Sequence, residues 1–226
     1  MLYTEEMVRA NIRTRQGKRV FFLKKGDTLT SGARDFLNRE RIAIRPAEEA
    51  AIREYELADG GILTEKPEEM THLQGNVLVR KDHPRIIFRG ALDALEAEIL
   101  LCQLELNGYR RELGELLDLS RKILRCEVLE EPLDVGRLCG MTAQELRERS
   151  HRPQEFYGLG HFMPDVTDGA AVLLLNRLRC TVRGVERLAL PAFGDGRRDI
   201  LQALNRMSSL VYILMIREKA KRDGKS

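Results

Sequence analysis

The sequence has few aromatic residues and no long apolar run. Tryptophan is absent from its 226 residues and aromatic residues make up 5%, which favours a helical core of aliphatic side chains over a β-sandwich or barrel. No run of about eighteen apolar residues occurs, so we expect no membrane span. The polar and acidic segment MLYTEEMVRA predicts no secretory signal. We therefore expect a cytoplasmic protein.

Cysteines and net charge are also scarce. The four cysteines stand singly and mostly within apolar helical patterns: Cys102, Cys126, Cys139 and Cys180. Their spacing predicts neither a disulfide framework nor a zinc site, and we expect no protein-bound metal. The 38 basic and 35 acidic residues nearly cancel, to a net charge of +3. Because a generic nucleic-acid or membrane binder would carry a larger positive charge, we expect neither kind of partner.

Residues 1–65 predict a small α+β module. Two segments in this region, KRVFFLKK and IAIRP, have the composition of strands. Thr30 or Ser31 can cap the helix predicted between them. Residues 48–61 then predict a connecting helix that ends at a pair of glycines. We place the domain boundary after residue 65.

Residues 66–226 predict a helical domain. Its first part, residues 66–90, is an irregular and charged approach, and segments of this length without regular structure are typically functional or disordered. Four or five amphipathic helices follow residue 85, and Thr142 and Glu145 form a capping box at the start of one of them. Helices joined by short connections are typical of a bundle, so we expect a mainly α fold.

The last two predicted helices each carry a polar stripe beside an apolar row. The stripes are Arg179, Arg183, Glu186 and Arg187 on the first helix, and Asn205, Ser208, Ser209 and Tyr212 on the second. The rows beside them are Leu178, Val182, Val185 and Ala189, and then Leu201, Leu204, Val211 and Met215. Stripes that face each other can line a cleft between two helices. A solvated or salt-bridged interface patch is the alternative, although the adjoining apolar rows favour the cleft.

Three blocks of sequence follow one another in an order that matches a known family. They are GNVLVRKDHPRIIFRGALDAL at 75–95, the spacing R-x-x-x-R-x-x-E-R at 179–187, and NRMSSLVYILMIR at 205–217. Together they resemble the ATP:corrinoid adenosyltransferases of the propanediol-utilisation type, over about half of the chain. The first 65 residues and the tripeptide at 71–73 are similar to the ethanolamine-utilisation branch of these cobalamin adenosyltransferases.

The resemblance implies a fold and a reaction. It implies a five-helix bundle with a small α+β module, commonly assembled as a trimer with active sites between subunits, while a dimer is left open. It also implies that cob(I)alamin attacks the 5′ carbon of ATP, that triphosphate leaves, and that adenosylcobalamin forms, with Mg²⁺ on the triphosphate. The implied partners are a corrin reductase, ethanolamine ammonia-lyase and microcompartment proteins. The implied location is the cytoplasm, or a microcompartment within it.

The resemblance assigns catalytic roles to five residues. Arg183 neutralises the charge that develops on the leaving triphosphate, and Glu186 contacts the nucleoside. A partly buried Asp93 pairs with Arg179 across the subunit interface, although an ordinary acidic residue at a helix start is as plausible from the residues alone. Phe162 displaces the lower ligand of cobalamin, and without the family it would be read as a core phenylalanine.

The resemblance also assigns substrate-binding residues, with three departures from the family pattern. The assigned residues are Thr71 and His72 in a loop that closes on ATP, Lys81 on the phosphates, Asn205 on ATP through its amide, and Arg187 and Ser209. The family's glycine-rich ATP loop is missing, Ser209 replaces an aspartate, and a histidine-cysteine metal motif of the ethanolamine branch is absent. The missing glycine-rich loop and Ser209 leave a second hypothesis open, in which the chain is a non-catalytic carrier of cobalamin or ATP or is associated with a microcompartment.

Overall fold

The computed structural model describes residues 1–51 and 54–224, which form two compact units. The first unit contains Met1–Ile86 and Glu127–Glu131, and the second contains Ile87–Cys126 and Pro132–Ser226. The contacts thus divide the chain near residue 86, whereas the boundary after residue 65 stays a prediction about domains. Residues 52, 53, 225 and 226 of the predicted domains lie outside the described residues.

The first unit begins with a small βαβ arrangement. Its elements are β1 (Leu2–Tyr3), α1 (Glu5–Ala10), β2 (Arg13–Arg15), β3 (Lys18–Leu23), β4 (Thr28–Leu29), α2 (Ser31–Arg39) and β5 (Ala43–Pro46). Strand β3 pairs in parallel with β5 and antiparallel with β2, and α2 makes the crossover. Thr30 caps α2 by accepting a hydrogen bond from the Ala33 amide at 3.2 Å. Both strands predicted here are confirmed.

A four-stranded sheet completes the first unit and corrects two predictions. Its strands are β6 (Tyr55–Leu57), β7 (Ile62–Leu63), β8 (Met70–Gln74) and β9 (Val77–Arg80), in the order β7-β6-β9-β8. The connecting helix predicted at 48–61 is wrong, because a 3₁₀ turn at Ala47–Ala51 is followed by β6, with residues 52 and 53 outside the description. The prediction of irregular structure at 66–90 is wrong for the strands β8 and β9, which form a hairpin. Strand β6 pairs with β9 about twenty residues later, a partner that local propensity cannot reveal.

The turn between β8 and β9 explains the first two residues of the 75–95 block. Gly75 has a φ of +57°, and a Cβ there would lie 2.1 Å from the Ile12 carbonyl oxygen, so only glycine fits. The buried Asn76 side chain accepts a hydrogen bond from the Thr14 amide at 2.5 Å and donates to the Thr14 and Glu54 carbonyls at 2.8 and 3.0 Å. These two residues therefore tie segments of the first unit together.

The second unit is helical. Its helices, two of which start or end in the first unit, are α3 (Pro84–Glu105), α4 (Arg110–Val128), α5 (Ala143–His151), α6 (Pro153–Tyr157), α7 (Gly169–Phe193) and α8 (Arg198–Arg222). Five of them have nine or more residues, so the predicted mainly α class with a small α+β module is confirmed for the described residues. The predicted capping box of α5 is present, with Thr142 and Glu145 bonded to each other's amides. No described helix is both long enough and apolar enough to cross a membrane.

Helices α7 and α8 pack along the apolar rows that the sequence predicted. On α7 the row is at most 2% exposed: Leu178, Val182, Val185 and Ala189. On α8, Leu204, Val211 and Met215 are at most 1% exposed, and Leu201 is partly buried. Because the polar stripes adjoin these rows at helical spacing, burial of the rows brings the stripes to the rim of the interface between the two helices.

Candidate functional site

A cleft of about 430 Å³ lies between α7, α8 and the loop that precedes α7. Its lining is mostly polar and consists of Ser150, His151, His161, Phe162, Pro164, Asn176, Arg179, Arg183, Asn205, Ser208, Ser209, Tyr212 and Met215. Five of the residues assigned from the sequence are among them: Phe162, Arg179, Arg183, Asn205 and Ser209. The structure therefore brings together side chains from two of the three sequence blocks and from the loop.

Asn205 is held in the cleft wall by bonds on both ends of its amide. Its Nδ2 donates to Glu186 Oε1 on α7 at 2.9 Å, and its Oδ1 accepts from Arg206. These partners fix which end of the amide is oxygen, and they leave one N–H of the amide free to donate elsewhere. Ser209 donates its hydroxyl to the Asn205 carbonyl at 3.1 Å, which is the usual bond of a helical serine to the preceding turn.

A histidine and a tyrosine form another part of the lining. The His161 and Tyr212 rings are stacked, and His161 Nδ1 lies 2.8 Å from the Tyr212 hydroxyl. His161 Nε2 lies 3.2 Å from the His151 carbonyl, which can only accept, so Nε2 donates there, and in this tautomer Nδ1 accepts from Tyr212. Burial raises the pKa of Tyr212, so its hydroxyl remains a donor. The guanidinium of Arg179 lies 5.0 Å from the centre of the Tyr212 ring.

The loop that carries Phe162 is fixed by an ion pair. Lys219 of α8 pairs with the buried Asp168, and its ammonium lies 5.2 Å from the centre of the Phe162 ring. The hydrogen bond from Lys219 lowers the pKa of Asp168, which also accepts from the Asp165 amide at 3.0 Å. Phe162 is partly buried against the bundle core, whereas Met163 beside it is 92% exposed. The loop therefore holds one apolar side chain against the cleft and the next one away from the core.

Three residues of the second unit that are assigned from the sequence lie outside the lining of this cleft: Glu186, which bonds to Asn205, Arg187 and Asp93. Arg187 is exposed on α7. Asp93 is exposed on α3, so the expectation that it is partly buried is wrong for the single chain. Asp93 and Arg179 form no ion pair with each other within the part of the chain that the structure describes. Their predicted contact is one between subunits, and it stays a prediction.

The three remaining residues belong to the first unit, whereas the cleft is built from the second. Thr71 and His72 lie in β8, opposite Val79 and Leu78, so the prediction that they lie in a loop is wrong. Burial, followed by the charge of Lys66, lowers the pKa of His72, so its imidazole is neutral near pH 7. Lys81 is exposed directly after β9. Their roles towards ATP stay predictions.

His161 and Arg206 were not assigned a role from the sequence. His161 was part of the loop segment HFMPDVTDG, and Arg206 follows Asn205 in the 205–217 block. Neither has a periodic signal, because His161 lies in a loop and Arg206 falls outside the polar stripe of α8. Only the tertiary contacts of His161 with Tyr212 and of Arg206 with the Ala143 carbonyl reveal them.

Comparison with known proteins gives three findings. Residues 62–218 match the model of the family described as cobalamin adenosyltransferase. The chain is 37% identical to the corrinoid adenosyltransferase EutT of Salmonella typhimurium over 165 aligned residues, and this region is 70% of this chain and 62% of that protein. It is 36% identical to the corrinoid adenosyltransferase EutT of Escherichia coli K12 over 160 aligned residues, which are 68% of this chain and 60% of that protein. No solved structure gives a significant match.

Proposed function

Since the chain belongs to the cobalamin adenosyltransferase family, we propose that it transfers the 5′-deoxyadenosyl group of ATP to cob(I)alamin. The cobalt–carbon bond forms as the bond between the 5′ carbon and its oxygen breaks, and that electron pair leaves with triphosphate. The resemblance found in the sequence is confirmed at the level of the family, and both relatives described above are named EutT. The chain spans about three fifths of their length, 62% and 60%.

The observation that carries this proposal is the convergence of the second and third sequence blocks with Phe162 on one cleft. Arg183 is exposed at the cleft and has no acidic partner among the described residues. An unpaired guanidinium can meet the charge that develops on a leaving triphosphate, in the way that preorganised cations stabilise transition states. Arg183 therefore stabilises the leaving group.

The bond between Asn205 and Glu186 supports the role proposed for both in binding the nucleoside. The 2.9 Å bond joins the two helices across the interface and holds one oxygen of the carboxylate. The other oxygen can accept from a ribose hydroxyl or from the adenine amino group, while the second N–H of Asn205 can donate to ATP. Because both groups are already oriented, binding costs little conformational entropy.

Phe162 supports the proposed handling of the corrinoid. An aromatic ring on the cleft wall can cover the lower face of the corrin and exclude water or a base from the cobalt. Loss of that axial ligand makes Co(II) easier to reduce, which is the step that produces the nucleophile. The ion pair between Lys219 and Asp168 holds the loop in place for this role.

We also propose further contacts to ATP, a division into domains and an oligomeric state. Lys81, Thr71 and His72 bind the phosphates of ATP, which carries Mg²⁺ as its counterion, and Arg187 and Ser209 contribute to nucleotide binding. A domain boundary after residue 65 is supported by the start of the family match at residue 62, while the pairing of β6 with β9 extends the first compact unit beyond it. The protein forms a trimer in the cytoplasm or in a microcompartment, where it serves ethanolamine utilisation and meets a corrin reductase or ethanolamine ammonia-lyase.

If Asp93 and Arg179 pair between subunits, their effects on stability and activity should be coupled. We expect the variants Asp93→Ala and Arg179→Ala, alone and combined, to show a coupling energy of about 1–3 kcal/mol in thermal unfolding of the oligomer. Once one partner is removed, loss of the second should cost little more. Additive effects would show that the two residues do not interact and that Arg179 acts only within its own chain, over Tyr212.

The transferase proposal is tested by an anaerobic assay with chemically reduced cobalamin, ATP and Mg²⁺. We expect consumption of cob(I)alamin in the visible spectrum, release of triphosphate and formation of a light-sensitive alkylcobalamin. Binding of ATP or cobalamin without turnover would instead establish a non-catalytic carrier, a hypothesis supported by the missing glycine-rich loop and by Ser209 in place of an aspartate.

A further inference from the structure

A second cleft, of about 680 Å³, lies beside the first, between α5 and α8. It is lined by Ala143, Gln144, Arg147, Glu148, His151, Arg152, Gln202 and Arg206. His151 lines both clefts, so the two adjoin each other. Three arginines and one glutamate give this second cleft a positive charge, and the volume is large enough for a nucleotide-sized group.

The guanidinium of Arg206 forms no ion pair with a carboxylate of the described residues. Its two terminal nitrogens donate to the Ala143 carbonyl at 3.0 Å and to Asn205 Oδ1, and its Nε is buried without a hydrogen-bond partner. Burial, and then the like charge of Arg147, lower the pKa of Arg206, while Glu186 opposes them. A partly desolvated cation beside another cation is unfavourable until an anion binds.

The other charged groups of the lining do not neutralise the charge of Arg206. Arg147 is exposed and has no acidic partner in the described part of the chain. Arg152 pairs at 3.1 Å with Glu155 on the next short helix, at an exposed position where such a pair contributes little. The carboxylate of Glu148 accepts a hydrogen bond from Gln144 at 2.8 Å. Neither acidic group pairs with Arg147 or Arg206.

The position of this cleft indicates which anion it takes. Arginine forks match the paired oxygens of a phosphate group. Cobalamin carries one phosphodiester, in the side chain that joins the ring to its lower base. When Phe162 covers the lower face of the corrin, the base must leave the cobalt, and the phosphodiester that links it to the ring must take another position close by. The second cleft adjoins the first at His151, and its positive charge is opposite to the negative charge of a phosphodiester.

We propose that the cleft between α5 and α8 binds the phosphodiester of the displaced nucleotide tail of the corrinoid. Arg147, Arg152 and Arg206 would be the contacts, and the cleft would make the protein prefer complete corrinoids over those that lack the tail. This assignment rests on the proposed function in placing the corrinoid ring in the first cleft. It adds a second point of attachment that does not depend on ATP.

The test compares equilibrium binding of cob(II)alamin and of cob(II)inamide, which lacks the phosphodiester and the base, to the full chain without turnover. We expect Arg147→Gln to raise the Kd for cob(II)alamin about tenfold, as loss of a charge-assisted hydrogen bond implies, and to leave the Kd for cob(II)inamide unchanged. A double variant with Arg152→Gln should lose the preference between the two. Arg147 and Arg152 are chosen because neither contacts Asn205, whereas Arg206 does.

The matched control is Arg149→Gln, which removes the same charge from α5 at a position that lies over the Phe156 ring and outside the cleft. Equal losses with both corrinoids, or no loss with either, would overturn the assignment. Weaker binding of inorganic triphosphate with unchanged binding of cob(II)alamin would also overturn it, because the cleft would then take free polyphosphate. Tail-dependent binding in a protein that performs no transfer would uphold the cleft and reject only the enzymatic proposal.

Discussion

Replacement of Arg183 by alanine is expected to abolish adenosyl transfer and to leave the bundle folded. The side chain is exposed and has no acidic partner among the described residues, so its loss should change the free energy of unfolding by less than about 0.5 kcal/mol. In the proposed reaction, however, its charge would meet the leaving triphosphate as that group becomes more negative. Removal of one such preorganised group typically lowers kcat by roughly a hundredfold to a thousandfold.

The measurement is single-turnover transfer from ATP to chemically reduced cob(I)alamin, with thermal unfolding recorded alongside. Arg183→Lys should recover part of the rate, because it keeps the charge but loses the planar fork. Arg198→Ala is a suitable control, since this arginine is 81% exposed and its ion pair in the described part of the chain is with the exposed Asp195. Wild-type turnover in Arg183→Ala would remove Arg183 from the mechanism.

Replacement of Phe162 by alanine is expected to impair reduction of cob(II)alamin more than transfer to preformed cob(I)alamin. Without the ring, water or the lower base can return to the cobalt, and five-coordinate Co(II) is harder to reduce. Preformed cob(I)alamin needs no such displacement. We expect turnover that depends on reduction to fall by at least about tenfold relative to transfer from preformed cob(I)alamin, equivalent to about 1.4 kcal/mol.

Two assays on the same protein preparation separate these steps, one with a reductase or chemical reductant in limiting amount and one with cob(I)alamin already formed. Phe162→Leu should retain more of the reduction step than Phe162→Ala, because it keeps an apolar side chain on the wall. Met163→Ala is the control from the same loop, at a side chain that is 92% exposed. Equal losses in both assays would assign Phe162 to packing alone.

The sequence predicted the helical part of the site because the signal is local. Repeats of three and four residues put Arg179 and Arg183 on one face of α7, and Asn205 and Ser209 on one face of α8, whatever the helices pack against. The same periodicity predicts that the adjoining apolar row of α7, which includes Leu178 and Val182, is buried. The βαβ unit was predictable because its two strands and its cap at Thr30 have local signatures.

The predictions that failed depend on partners distant in sequence. Thr71 and His72 have no strong strand composition, and they become part of a strand because β9 pairs with them. The local sequence of Tyr55–Leu57 predicts a helix, whereas pairing with Val77 and Leu78 makes this segment a strand. Asp93 was expected to be partly buried because of its neighbours in sequence, but the single chain leaves it in solvent.

By itself the sequence determined a mainly α protein of the cobalamin adenosyltransferase family and the polar faces of α7 and α8, since helical periodicity follows from backbone geometry alone. The tertiary structure decided which of those polar groups meet. The bond between Asn205 and Glu186, the contact of His161 with Tyr212 and the cleft that contains Arg147 and Arg206 all join segments far apart in the chain. Such contacts depend on how buried apolar rows pack against each other, and no single segment contains that information.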